Sequence, residues 1–370
     1  MKMKHILYIS SSRLSQSEAN SIQVLNMMIA FTDLDGYAVD LLYHKPLSGN
    51  NEQIDTTILD ARVNFRKFGV PYVFKSSIIN SILVFPLFNF LRRYEIIYSR
   101  NVWSAFILCI FKRKVIYESH VIFRKRTVLY FIERFVLRSK NLERCVFISN
   151  ALKQRVMSSY GIKDDPRYIV AHDSACLVNE FVASDSSEIR YDFGYFGSGS
   201  HGKGVYFVLE IAKHFPDKKF LICGPLQSDI VKLNKKCEEL ELNNVDLKER
   251  TSQVMARRHM TECAVLLLPN LKHQVNAVGS YGSVTSPLKL FEYMASNRPI
   301  LSSRIPSVLE VLNDKNAFLA NAEDVEDWVS QIKKIFANHR ESEKTANQAL
   351  VDVTDYTWEK RAKMVIGKLN

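Results

Sequence analysis

The sequence has few of the devices that staple small, exported or metal-dependent folds. Its six cysteines, Cys109, Cys145, Cys176, Cys223, Cys237 and Cys263, lie far apart, with no Cys-x-x-Cys pair and no histidine at metal-ligand spacing. That pattern argues against a disulfide framework or structural zinc and points to a reduced, cytoplasmic protein. The apolar run near the start, Ile6 to Ile9, is too short for a signal-peptide core. The longer stretches Ile78 to Phe90 and Val102 to Phe111 fall short of the roughly 20 apolar residues a spanning helix needs, and Pro86 interrupts the first. No helix-turn-helix, zinc-finger or interleaved aromatic-basic signature supports a nucleic acid partner, and no sequence repeat is evident.

What is present is the profile of a globular protein, 47% apolar and 24% charged over 370 residues, long enough for two domains. The net charge of +11 is unevenly placed. Residues 1–178 carry 25 Lys and Arg against 14 Asp and Glu, whereas residues 179–370 carry 25 of each. A basic half suggests an anionic partner, such as a phosphate-bearing substrate or an anionic membrane surface. Its cations cluster at Arg62/Arg66/Lys67, Arg92-Arg93, Lys112 to Lys114 and Arg124 to Arg126.

Strand-like runs alternate with helical spacing in both halves. In the first, Ile6 to Ile9, Val39 with Leu41, Ile96 to Tyr98, Val115 to Tyr117, Cys145 to Ile148 and Tyr168 to Val170 read as strands. A polar stretch from Val178 to Arg190 reads as a linker. The pattern then restarts with Tyr195-Phe196, the loop Gly197 to Gly204, a helix from Val205, and strands at Lys219 to Cys223, Val265 to Leu268 and Ile300 to Ser302. Two doubly wound, Rossmann-like α/β domains are expected, residues 1–178 and 190–354, with a ligand at a cleft between them.

The strongest local signal is Ser286-Pro287-Leu288-Lys289-Leu290-Phe291-Glu292. Ser286 suits an N-cap and Pro287 the first helical position. A helix start would hold a diphosphate on its backbone N–H groups. Glu292, about 7.5 Å further along the axis, would then reach ribose hydroxyls. An ordinary capped helix with a surface glutamate fits these residues equally well.

The run SPLKLFEYMASNRPILS, Ser286 to Ser302, resembles the donor-binding helix and following strand of family 4 of the retaining glycosyltransferases. Tyr195-Phe196-Gly197 with Lys203-Gly204, Tyr117-Glu118-Ser119-His120, Phe147-Ile148-Ser149 with Ala151-Leu152-Lys153, and Tyr356-Thr357-Trp358 with Lys360-Arg361 extend the likeness. The resemblance implies the GT-B fold, with a helix at about 355–370 crossing back onto the first domain. It implies transfer of a hexose or N-acetylhexosamine from a UDP- or GDP-sugar to a glycan or polyprenyl-linked acceptor in surface polysaccharide synthesis.

By the same resemblance Lys203 and His120 are the catalytic candidates, while Gly197, Ser198, Gly199, Ser286, Pro287, Leu288, Lys289 and Glu292 hold the donor. Ser11, Ser12 and Asn20 occupy the place of a donor and acceptor loop. No metal or cofactor is required, because cations and helix dipoles meet the charge of the leaving diphosphate. Peripheral attachment at the inner face of the cytoplasmic membrane follows from the basic half and a lipid-linked acceptor. Two departures stand out: Val284 occupies the position of the family's first glutamate, and Ser198 that of a basic residue. An epimerase or hydrolase on the same fold, or a non-catalytic binding subunit, are the competing functions.

Overall fold

The computed structural model describes residues 3–10, 19–45, 67–71, 91–177, 188–199, 201–272, 279–280 and 282–367. Ser11, Ser12, the Ile78 to Phe90 stretch, Arg62 and Arg66 lie outside them, as does most of the expected linker. The chain forms two units, Met1–His172 with Trp358–Asn370, and Asp173–Thr357.

Unit 1 is built on a sheet of seven strands: β1 (Lys4–Ile9), β2 (Tyr37–Lys45), β3 (Lys67–Pro71), β4 (Ile96–Ser99), β5 (Val115–Ser119), β6 (Leu142–Phe147) and β7 (Tyr168–Val170). Their order is β3-β2-β1-β4-β5-β6-β7, and the pairings are parallel. Among the described residues the helices between them are α1 (Ala19–Thr32), α2 (Val102–Ile110), α3 (Val128–Arg138) and α4 (Asn150–Tyr160). The order reverses beside β1, the switch point at which such sheets place ligands. Ile6 to Ile9 and Ile96 to Ser99 are buried along their whole length, as expected of strands covered on both faces. Local chemistry sets the helix starts: the side chains of Asn101, Thr127 and Ser149 each accept an N–H of the following first turn.

Unit 2 repeats the plan. Its strands are β8 (Tyr191–Phe196), β9 (Phe220–Cys223), β10 (Val245–Lys248), β11 (Cys263–Leu268), β12 (Ile300–Ser303) and β13 (Phe318–Ala320), in the order β10-β9-β8-β11-β12-β13. They too pair in parallel. The helices are α5 (Val205–Ala212), α6 (Gln227–Glu239), α7 (Gln253–Thr261), α8 (Leu288–Ala295), α9 (Val325–Ala337) and α10 (His339–Asp352). Alternation along each strand feeds two cores. Phe193, Tyr195, Phe220 and Ile222 pack with Leu209 of α5 and Trp328 of α9. Phe196, Leu221 and Cys223 pack with Phe291 and Met294 of α8. Both faces are thereby covered, which is the doubly wound arrangement.

The last helix, α11 (Trp358–Ile366), belongs to unit 1. It packs on α1. Arg361 donates from Nε to the His172 carbonyl at 2.8 Å, and Arg144 donates to the carbonyls of Met364 and Gly367 at 3.0 and 2.8 Å.

Candidate functional site

In unit 2 the functional candidates gather at the carboxyl ends of β8 and β11. The loop leaving β8 turns through Gly197 to Gly199 into a short 3-10 turn, His201–Lys203, and enters α5 at Gly204. Gly204 has φ +83°, and a Cβ there would stand 1.9 Å from the Pro269 carbonyl oxygen. Only glycine lets the loop lie this close to the end of β11. At Gly199 a Cβ would meet Asp229 of α6 at 2.5 Å. The loop is pinned from beneath by Tyr195, whose buried hydroxyl donates to the Ser198 carbonyl at 3.1 Å.

Helix α8 begins one residue later than expected. Pro287, not Ser286, is the cap residue, with φ −79° and ψ 123°. Ser286 Oγ instead accepts the backbone N–H of Asp173 at 3.1 Å. The helix is fastened to β8 by Tyr293, whose hydroxyl accepts the Phe196 N–H at 2.8 Å.

That seating turns Lys289 inward. Its Nζ is buried, lies 4.3 Å from the centre of the Tyr195 ring and makes no hydrogen bond among the described residues. Burial, and then the charge of Lys203, hold its pKa well below the ordinary lysine value. Lys203 is lowered by burial as well. A solvent-facing Lys289 was an open alternative in the sequence, and the structure removes it. Two lysine side chains therefore share the mouth of the Gly197–Gly204 loop, one with no acceptor among the described residues, and burial disfavours their charged forms until an anion arrives. Cation–π contact with Tyr195 offsets part of this.

Asn270, two residues beyond β11, is fully buried, and neither atom of its carboxamide is hydrogen-bonded among the described residues. Its position after Pro269 gave no sign of this in the sequence. Glu292, on α8, is partly held: Oε1 accepts Gln253 Nε2 at 2.6 Å, with Arg257 Nη2 at 3.9 Å. Gln253 and Arg257 lie one turn apart on α7, a spacing the sequence did contain. Val284 is buried in a 3-10 turn, so no carboxylate stands at its position.

In unit 1, His120 follows β5. Its Nε2 lies 2.7 Å from Glu118 Oε1 and 3.0 Å from Arg100 Nε. Burial, and then Arg100, press the imidazole down to about 4, so it is neutral near pH 7. Glu118 is fully buried and also accepts Gln23 Nε2 at 2.9 Å and Arg361 Nη2 at 3.1 Å. Burial alone would raise the Glu118 carboxyl, but Arg361, His120 and Gln23 outweigh it and hold it at about 2. The Asn20 carbonyl accepts Arg100 Nη1 at 3.1 Å, tying the start of α1 to this group.

Two parallel α/β units of this order, with the last helix counted in the first, are the GT-B architecture of glycosyltransferases. Solved structures share it across nearly the whole chain. HepE from Anabaena, crystallised with UDP, superposes with a TM-score of 0.71 at 14% identity, covering 98% of each chain. Sucrose-phosphate synthase from Thermosynechococcus elongatus gives 0.76 at 13%, covering 98% of this chain and 97% of that one. A mutant of TarM from S. aureus in complex with Fondaparinux, alpha-GlcNAc-glycerol and UDP gives 0.75 at 12%, covering both chains completely. At such identities the likeness is one of fold. Residues 190–338, within unit 2, match the family model for glycosyl transferases group 1. No curated protein matches the sequence.

Proposed function

We propose that the protein is a retaining glycosyltransferase that moves a hexose or N-acetylhexosamine from a UDP- or GDP-sugar to a glycan or polyprenyl-linked acceptor during surface polysaccharide synthesis. The observation that carries the reading is the buried Nζ of Lys289 beside Lys203, with no hydrogen-bond partner among the described residues. A nucleoside diphosphate supplies the missing anion. HepE was crystallised with UDP and with UDP-glucose, which supports a sugar nucleotide as the ligand here.

Unit 2 is the donor side in this account. The diphosphate lies against Lys203, Lys289 and the Gly197-Ser198-Gly199 turn, near the start of α8 at Ser286 to Leu288. The carboxylate of Glu292 takes the ribose hydroxyls through Oε2, which has no partner among the described residues, while Gln253 steadies Oε1. As the glycosidic bond breaks, negative charge grows on the leaving phosphate, and the two lysines stabilise it more than they stabilise the ground state. That supply of positive charge lets the reaction proceed without a metal.

Unit 1 is the acceptor side. The His120 imidazole, neutral near pH 7, stands at the end of β5 beside Glu118 and Arg100. Its proposed part is to contact the donor sugar. Peripheral membrane attachment brings unit 1 to the acceptor. With Val284 in place of a glutamate, the sugar ring is held by other groups than in the resembled family.

Incubation with a panel of sugar nucleotides, with and without membrane extract, tests the proposal. Nucleotide release that depends on acceptor, with a product of retained anomeric configuration, is the expected result. Isomerised donor, or tight binding with no turnover, contradicts it.

A further inference from the structure

Helix α3 has an outer face that does not serve the fold. Val128, Phe131 and Phe135 recur at i, i+3 and i+7 and are 64%, 55% and 47% exposed. Phe106 of α2 meets the Phe135 ring at 5.2 Å, and Ile110, one turn beyond Phe106, is 48% exposed. Every exposed phenylalanine among the described residues, Phe111, Phe131 and Phe135, belongs to this α2–α3 region. Elsewhere exposed apolar side chains are aliphatic.

The inner face of α3, in contrast, is clamped. Glu133 accepts hydroxyl protons from Tyr117 at 2.8 Å and Ser119 at 2.7 Å, and also bonds the Tyr160 hydroxyl. Tyr130 donates to the Ser159 carbonyl at 2.9 Å, and Arg134 to the Tyr160 carbonyl at 3.0 Å. The helix is thus a fixed support holding an apolar stripe outward.

Charge surrounds the stripe. Residues 112–140 hold nine Lys and Arg against two Asp and Glu, and those two, Glu118 and Glu133, are buried. Arg124, Lys125 and Arg126 are all exposed just before the N-terminus of α3, whose first turn has no acidic residue. Cations there oppose the helix dipole, and Arg126 additionally sits at φ +65°, a strained setting for a non-glycine residue. Neither choice stabilises the isolated chain.

We infer that the α2–α3 face of unit 1 is a docking surface for an anionic lipid bilayer, with Val128, Phe131 and Phe135 entering the headgroup boundary and the flanking Arg and Lys residues meeting acidic headgroups. An apolar stripe bordered by cations is the pattern that interfacial helices use. Attraction of the cations fades with ionic strength, while the apolar contribution does not. The inference rests on the proposed membrane-borne acceptor for its purpose, and centres the contact on α3, beside the Val102 to Phe111 stretch that forms α2.

Cosedimentation with phosphatidylcholine vesicles, with and without phosphatidylglycerol, tests it. The parent protein is expected to partition onto acidic vesicles at least about tenfold more than onto neutral ones, with the excess lost in high salt. Phe131→Asp with Phe135→Asp, and separately Arg124→Glu with Lys125→Glu and Arg126→Glu, should each lower that partition at least about tenfold. Both variants should melt like the parent and keep its affinity for nucleoside diphosphate. Equal partition of parent and variants overturns the inference, as does parent protein that stays in solution or binds an oligonucleotide in preference to acidic vesicles. Vesicle binding without sugar transfer would remove the proposed function and leave the docking surface standing. Transfer to a detergent-dispersed acceptor without vesicle binding would do the reverse.

Discussion

Glu118 in unit 1 and Lys289 in unit 2 are both buried charges near the carboxyl ends of parallel strands, and they are provided for in opposite ways. Glu118 has Arg361, His120, Gln23 and Arg100 around it. Lys289 has an aromatic ring, a second lysine and no acceptor among the described residues. A cluster complete within the protein positions its members and stabilises the fold, whereas a cluster short of one charge stabilises only a complex. Burial alone says nothing of function; the balance of partners does.

The comparison is broken most forcefully at its complete half. Glu118→Ala strands Arg361 without a counter-charge in the interior, and about 3–5 kcal/mol of stability should be lost in urea unfolding. A loss below about 1 kcal/mol, the scale of a surface pair, would mean that the cluster is not what holds α11 in place.

A third buried charge sharpens the contrast. The Glu133 carboxyl is pushed up to about 7 by burial, against the hydrogen bonds from Tyr160, Ser119 and Tyr117. Its folded value exceeds the ordinary 4.5, so its stabilising contribution is complete below 4.5 and is lost as pH rises through 7. Glu133→Gln removes that dependence, and should gain about 3 kcal/mol on the parent between those limits. Melting curves across pH check it; parallel curves would refute it.

Glu292→Ala should weaken nucleoside diphosphate binding by about 1.5–3 kcal/mol, the value of a charge-assisted hydrogen bond. Titration calorimetry measures this, and unchanged affinity would remove Glu292 from the ribose. Smaller in binding is Lys203→Ala, which should lower kcat about tenfold or more with a lesser change in donor affinity, because its partner charge grows toward the transition state. Equal losses in both would contradict that role.

Much of the fold was legible because central parallel strands announce themselves. Ile6 to Ile9, Ile96 to Tyr98 and Val265 to Leu268 are continuous apolar runs that have no other stable place. The edge strands Lys67–Pro71 and Val245–Lys248 were not read; the second, Val-Asp-Leu-Lys, is only partly buried and lacks that signature. The loop with Lys203 and the helix with Lys289 were legible as pieces. Their meeting over Tyr195 was not, because it depends on Tyr293 drawing α8 onto β8 across about a hundred residues. At α3 the spacing of Val128, Phe131 and Phe135 resembles a core stripe, and only the structure shows Ile132, Val136 and Leu137 filling the core instead. Asn270 left no sequence trace at all.

Lys289→Met shows whether the buried Nζ of Lys289 is completed by a diphosphate, through melting of the unliganded protein and calorimetric titration of a nucleoside diphosphate against its parent nucleoside. The unliganded variant is expected to melt no lower than the parent, since a buried polar group with no hydrogen-bond partner among the described residues is gone. At least about a tenfold loss in affinity for the diphosphate is expected as well, with the nucleoside unaffected. A variant that melts well below the parent yet keeps its preference for the diphosphate would show that Lys289 is a structural residue and that the anion binds elsewhere.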